Sequence, residues 1–253
     1  MTSPTLYEVS DGVGTITLNQ PDQRNALSTD LVNSLGDHLA AARSDEACRV
    51  VLLTNNGPAF CAGADLKGSS TEPPRWTLPE VLATIIEHPK PVIGRIAGHC
   101  MGGGVGLAAA CDISIAAEDV RFGFTEVRIG VAPAIISVVC LLKMRVADAL
   151  ELFLSGDRVS AGRAAEAGLV NRSVARESLD DAVAAVVSAV LQGSPHALSV
   201  AKRLVYAVPG LDREEAFERN ARLSAELFAS DDAREGMAAF REKRPPSWAP
   251  PVP

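Results

Sequence analysis

The 253 residues carry 47% apolar and 22% charged side chains, only 4% aromatics, and a net charge of −7. This is the composition of one large globular domain, or of one domain with a smaller appendage, around an aliphatic core. The acidic balance argues against non-specific binding to nucleic acid or to an anionic membrane. Five cysteines without a CxxC pair argue against a disulfide framework or a structural zinc site, and fit a reducing cytoplasm. Met1 to Glu8 lack the charged start and apolar stretch of a signal peptide, and no apolar run approaches the ~20 residues of a membrane span.

Residues Leu6–Val9 and Val13–Leu18 alternate around Asp11-Gly12 and read as a hairpin. Asn19 to Asn25 is a polar loop. Ser28 is a candidate N-cap for a helix over Thr29–Ala42, with Leu31, Leu35 and Leu39 on one face. Arg49–Thr54 is a buried strand, ended by Asn55-Asn56-Gly57-Pro58. Gly68 to Pro79, rich in Ser, Pro and Gly, reads as a mobile loop, and Leu78–His88 as a helix stopped by Pro89 and Pro91. A strand over Val92–Ala97 then leads into Gly98–Asp112, in which five of the first nine residues are glycine.

Strands follow over Cys111–Ala117 and Val120–Phe124, and helices over Val138–Met144, Val146–Leu154 and Ser160–Ala167. Leu169–Asn171 reads as a short strand. The chain then becomes helical over Leu179–Leu191, His196–Val205, Arg213–Phe228 and Ala233–Lys243, before a proline-rich tail from Pro245. Recurring strand–turn–helix units give an α/β class. Two regions are expected: a core over 1–190 and a helical region over 191–253.

The chemistry concentrates at two glycine turns, Ala62-Gly63-Ala64-Asp65 and Gly102-Gly103-Gly104, each after a buried strand. The second opens a helix, whose first N–H groups lack intrahelical partners and face the positive end of the dipole. Glycine lets another group approach the backbone closely. Such a turn holds negative charge: a phosphate, a carboxylate or a reaction oxyanion. Two converging N–H groups would form an oxyanion hole.

Six segments together resemble the crotonase superfamily, the enoyl-CoA hydratase/isomerase family. They are Gln20–Leu27, Phe60–Lys67, Lys90–Ile93 with Gly98 and Gly102–Gly104, Phe122–Pro133, Leu154–Asp157 with Gly168–Asn171, and Phe240–Arg244. The resemblance implies a crotonase-like spiral of ββα units with a C-terminal helical trimerisation region, assembled as a homotrimer or dimer of trimers. It implies an acyl-CoA substrate whose thioester oxygen meets the N–H groups of Ala64 and Gly103. It implies no metal and no separate cofactor, coenzyme A being part of the substrate.

By the same resemblance Arg24 lies near a CoA phosphate, and Ala26, Ala62 and Leu66 line the adenine and pantetheine path. Phe240 and Lys243 reach the CoA of a neighbouring subunit. Asp65 joins the substrate-binding set chiefly as a turn cap. Cys61 and Cys100, beside the two donors, read as small buried packing residues, and His99 as structural.

Hydratases of this family hold one water between two glutamates. Glu126 matches one of them; the other position is Gly106, which has no side chain to titrate. Three readings follow: hydration or dehydration of a 2-enoyl-CoA through one glutamate, Δ3–Δ2 isomerisation through Glu126 alone, or acyl-CoA binding without chemistry. Gly106 would leave room for a bulkier or branched acyl group, and Gly106→Glu would then raise hydration.

Overall fold

The computed structural model describes residues 3–68 and 72–250. The chain opens with β1 (Thr5–Ser10) and β2 (Val13–Leu18), an antiparallel hairpin turned at Asp11 and Gly12, both with positive φ. Helix α1 (Thr29–Ser44) starts at Ser28, whose Oγ accepts the Leu31 N–H at 3.2 Å. Ser28→Ala should cost about 1 kcal/mol, read as a lower denaturant midpoint with an unchanged slope.

The core then repeats one unit three times, and the repeat is what builds the site. β3 (Val50–Asn55) and β4 (Ala59–Cys61) are followed by α2 (Leu78–Ile86); β5 (Val92–Ile96) and β6 (His99–Met101) by α3 (Gly103–Ala110); β7 (Ile113–Ala117) and β8 (Arg121–Gly123) by α4 (Ala134–Cys140). In each unit the first strand joins one sheet and the second turns a corner into another. The larger sheet has the order β1-β2-β3-β5-β7, closed at its far edge by Arg172–Val174 on Ile115–Ala117. Its strands are parallel from β2 onward. The smaller sheet runs β4-β6-β8 in parallel and ends on an antiparallel strand over Arg158–Ser160.

The corners are where sequence and packing meet. Asn55 Nδ2 donates to the carbonyls of Gly57 and Ala59, closing the β3–β4 corner. At the β5–β6 corner a Cβ on Gly98 would stand 2.4 Å from the Phe60 N, so only glycine lets one corner nest on the next. Leu53, Phe60, Ile93, Ile96, Leu107 and Phe122 belong to one core cluster and are each fully buried.

The chain continues through α5 (Val146–Ser155), β9 (Arg158–Ser160), α6 (Ala161–Glu166), β10 (Arg172–Val174) and α7 (Leu179–Leu191). The last residue of α7 is Leu191, so the expected boundary after 190 falls at its C-terminus. Then come α8 (Pro195–Ala207), α9 (Arg213–Phe228) and α10 (Asp231–Glu242), which bury only Val200 and Ala239 between them. These helices are tied to the core by Lys202, whose ammonium pairs with Asp112 at 2.8 Å, and by Trp248, whose Nε1 donates to the Gln192 carbonyl at 3.0 Å.

Two expected elements shift and three strands are added. The helix placed over Val138–Met144 is α4, four residues earlier at each end. Pro133 starts it, the Ser137 N–H closing on the Pro133 carbonyl, and the β-branched pair Ile135-Ile136 hides its first turn. The strand placed over Leu169–Asn171 is β10, three residues on, because the Leu169 N–H still closes the α6 turn on Ala164. Strands β4, β6 and β9 are additions; three residues are too few for a period to show.

The loop expected to be mobile is fixed where the structure describes it, and Leu78-Pro79 are already helix. Asn33 Oδ1 accepts the N–H groups of Arg75 and Trp76, and Asp37 holds Arg75 at 2.6 Å and Trp76 Nε1 at 2.9 Å. Residues 69–71 of that segment lie outside the described residues.

Candidate active site

Three backbone segments converge on one cavity of about 670 Å³. The first is the turn after β4. Leu27 donates its N–H to the Gly63 carbonyl at 2.8 Å, and the Ala62 N–H donates to the Arg24 carbonyl at 3.0 Å. Gly63 has φ +89°, and a Cβ there would stand 2.9 Å from the Met101 carbonyl oxygen. Glycine is therefore required by both conformation and space. The turn leaves the Ala64 N–H directed away from its own strand pairing; among the described residues it donates no hydrogen bond.

The second segment is the start of α3. Gly102, the N-cap, has φ +51°, and its N–H bonds the Gly123 carbonyl at 2.9 Å. Gly103 is the first helical residue, so its N–H has no intrahelical acceptor and, among the described residues, no other. A Cβ on Gly104 would stand 2.2 Å from the Cys61 carbonyl oxygen. The glycine run thus packs α3 against β4 and brings the two free amides, Ala64 and Gly103, to the same cavity.

The third segment is a 3-10 turn over Thr125–Ile129, after β8. It is closed by Gly130 at φ +80° and tethered by an Arg128–Asp157 ion pair. It presents Glu126, whose carboxylate lies beside the α3 start: a Cβ on Gly102 would be 3.3 Å from Glu126 Oε1. Oε2 is buried without a partner. Burial pushes the Glu126 carboxyl above the usual carboxylate range, opposed by a hydrogen bond from its own backbone N–H.

Apart from Thr29 and Thr125, the other side chains of the cavity wall are apolar, among them Leu27, Leu78, Trp76 and the stretch Val131–Ile136. Glu126 is its one ionisable side chain among the described residues. Two amide donors and a half-buried carboxylate on one largely apolar cavity can polarise a carbonyl and move a proton on a neighbouring carbon.

Of the residues read from sequence, Ala62, Ala64, Leu66, Gly103 and Glu126 line this cavity. Arg24 is exposed in a left-handed conformation (φ +53°), its carbonyl holding the Ala62 turn. Ala26 is half-buried beside Leu27 and outside the lining. Asp65 Oδ1 accepts the Lys67 N–H at 3.0 Å, a turn cap. Phe240 and Lys243 stand on α10 away from the cavity, Phe240 86% exposed and Lys243 at the left-handed C-cap (φ +55°).

Gly106 differs from expectation. It is buried and leaves no room for an acyl group, because Ile136 fills the space: a Cβ on Gly106 would stand 2.4 Å from Ile136 Cγ2 and 2.9 Å from its Cβ. In Gly106→Glu the new Cβ would meet the same contact.

Sequence reasoning missed Leu27, Trp76 and Ile136. All three are apolar residues whose role comes from the element they land against. Cys61 and Cys100 are buried free thiols; burial pushes Cys61 up to about 12 and Cys100 well up. His99 Nδ1 accepts the Arg121 N–H at 3.1 Å. Among the described residues no single helix is long and apolar enough to cross a membrane.

The family model described as Enoyl-CoA hydratase/isomerase matches residues 8–251. A Thermus thermophilus relative, provisionally named enoyl-CoA hydratase, is 35% identical over 96% of this chain and all of its own length. The 2,3-dehydroadipyl-CoA hydratase of Escherichia coli is 31% identical, covering 92% of this chain and 93% of that protein. The crystal structure of an enoyl-CoA hydratase from Mycobacterium smegmatis superposes with a TM-score of 0.89 at 35% identity, over 97% of this chain and 98% of that one.

Proposed function

The chain belongs to the enoyl-CoA hydratase/isomerase family, and from that premise we propose that it shifts the double bond of an enoyl-CoA thioester, with Glu126 as its single acid and base. The observation that carries this reading is that Glu126 is the one ionisable side chain of the cavity lining among the described residues. Moving a double bond needs one group that removes a proton and returns it elsewhere. On a 3-enoyl thioester Glu126 takes the proton from C2 and returns it to C4. The charge passes meanwhile to the thioester oxygen, where the Ala64 and Gly103 N–H groups hold the dienolate. The reaction is redox-neutral and moves only a proton, so it calls for no cofactor beyond the CoA carried by the substrate.

Hydration of a 2-enoyl-CoA is the second reading, favoured by the names of the relatives. A buried water makes roughly three hydrogen bonds. Four residues along α3 from the Gly102 that Glu126 lies against, the notch at Gly106 is closed by the Ile136 hydrocarbon, which offers a water nothing. Non-catalytic binding is the third reading, and it leaves the buried unpartnered Glu126 Oε2 without a purpose.

Arg24, free of a side-chain partner among the described residues, is the proposed CoA phosphate contact. A homotrimer or dimer of trimers would cover the apolar side chains left exposed on α5 and α9, among them Val146, Leu154, Phe217 and Phe228. In such an assembly Phe240 and Lys243 serve a neighbour's CoA. Five buried free thiols suit a reducing cytoplasm.

The test is turnover of matched 3-enoyl- and 2-enoyl-CoA thioesters. Conversion of the 3-enoyl substrate should exceed hydration of the 2-enoyl one. Faster hydration would install the second reading, and binding of both without turnover would overturn both.

A further inference from the structure

The start of α4 lies directly on α3, and a missing side chain permits it. With a Cβ on Gly106 the Ile136 side chain could not sit where it does, since the two would approach to 2.4 Å. Ile136 is 2% exposed, yet it is also part of the cavity lining. One side chain therefore does two things: it plugs the notch over Gly106 and it lines the cavity that holds Glu126.

Resting on the enoyl-thioester reading above, we propose that Ile136 is the specificity-determining residue of the acyl cavity, and that by filling the notch over Gly106 it commits the cavity to an uncharged, apolar acyl group. Hydrocarbon against hydrocarbon is favourable in proportion to the area removed from water. A second carboxylate at the far end of the acyl chain would be desolvated against this wall. Among the described lining residues there is no lysine, arginine or histidine to meet it, and the one charge present, Glu126, has the same sign. Behind Ile136 stands Gly106, which contributes no atoms beyond the backbone, so trimming Ile136 opens the cavity toward that notch.

The test uses binding of saturated acyl-CoAs, which cannot react, so it reads the cavity independently of the chemistry. Calorimetric titration of a butyryl to decanoyl series, with adipyl-CoA set against hexanoyl-CoA, gives the wild-type ranking. Adipyl-CoA should bind about tenfold or more weakly than hexanoyl-CoA. Ile136→Ala should move the preferred length upward, with a relative gain of about tenfold for the longer chain, as expected for added methylenes in an apolar pocket. Ile136→Val, which preserves most of the packing, should move it the same way by less. Equal affinity for adipyl- and hexanoyl-CoA, or an unchanged length ranking in folded Ile136→Val, would overturn the assignment. A length series that behaves as stated in a protein that turns over no enoyl-CoA would overturn the isomerase reading and leave this one standing.

Discussion

Glu126→Gln should reduce turnover of the 3-enoyl thioester by roughly 10²–10⁴-fold while leaving acyl-CoA affinity within a few-fold of wild type. The amide keeps the size and shape of the carboxyl but can no longer accept the C2 proton. The two N–H donors, on separate backbone segments, remain in place to bind the thioester oxygen. Binding that fell together with turnover would point to a structural role for Glu126 instead.

The same residue predicts the sign of two pH effects. Burial raises the Glu126 pKa in the folded chain above its unfolded value. Between those two values the native state holds a proton that the unfolded state has released. The contribution of this group to stability is therefore fully present below the unfolded pKa and is lost as pH rises through the folded one. Activity runs the other way, because the first step needs the carboxylate, and kcat should climb with pH through the raised pKa. Glu126→Gln should remove both dependences, and at neutral pH it should be no less stable than wild type. A variant that is inactive yet equally or more stable marks a group kept for chemistry.

The elements whose cause is local were legible in the sequence. The Asp11-Gly12 hairpin and the Ser28 cap depend on residues within a few positions, and both stand within a residue or two of expectation. Helices α7 and α9 match at both ends, and α8, of the same length as α7, is missed by one residue at its start and two at its end. The amide donors were legible as a type, glycine turns after strands. Pairing them required the spiral, which brings residues nearly 40 positions apart to one cavity.

Glu126 was legible only through family resemblance. Nothing local separates it from a solvated loop carboxylate; what marks it is burial of Oε2 against α3. The wall over Val131–Ile136 was missed because Pro133 and two isoleucines obscure a helix start. Trp76 was missed because its loop looks unrestrained until Asn33 and Asp37, on α1, take its donors. Gly106 is the plainest case. Its reason is Ile136, thirty residues on, and no reading of the α3 segment alone contains that neighbour.

Gly106→Glu should therefore destabilise the fold severely rather than create a hydratase. A Cβ at 2.4 Å from Ile136 Cγ2 and 2.9 Å from Ile136 Cβ cannot be relieved by the far end of a flexible chain; α4 itself would have to move. Overpacking of this kind costs about 1–3 kcal/mol. The new carboxylate adds a desolvation penalty of several kcal/mol if it stays buried without a cation. Only about 1 kcal/mol returns from replacing a helical glycine. Against a total stability of about 5–15 kcal/mol, the single variant should lose most of its soluble yield, or melt some 10 °C or more below wild type. Ile136→Ala alone should cost about 2–5 kcal/mol through the cavity it leaves. Combined with Gly106→Glu it should cost less than the sum, because Ile136→Ala removes the 2.4 Å contact to Cγ2 and leaves only the 2.9 Å contact to Cβ for α4 to relieve. Hydration should then appear in the double variant and not in either single one, since only there do a carboxylate and space for a water coexist beside Glu126. Additive melting shifts across the four proteins, or a Gly106→Glu variant that melts with wild type, would show that Ile136 does not hold the notch.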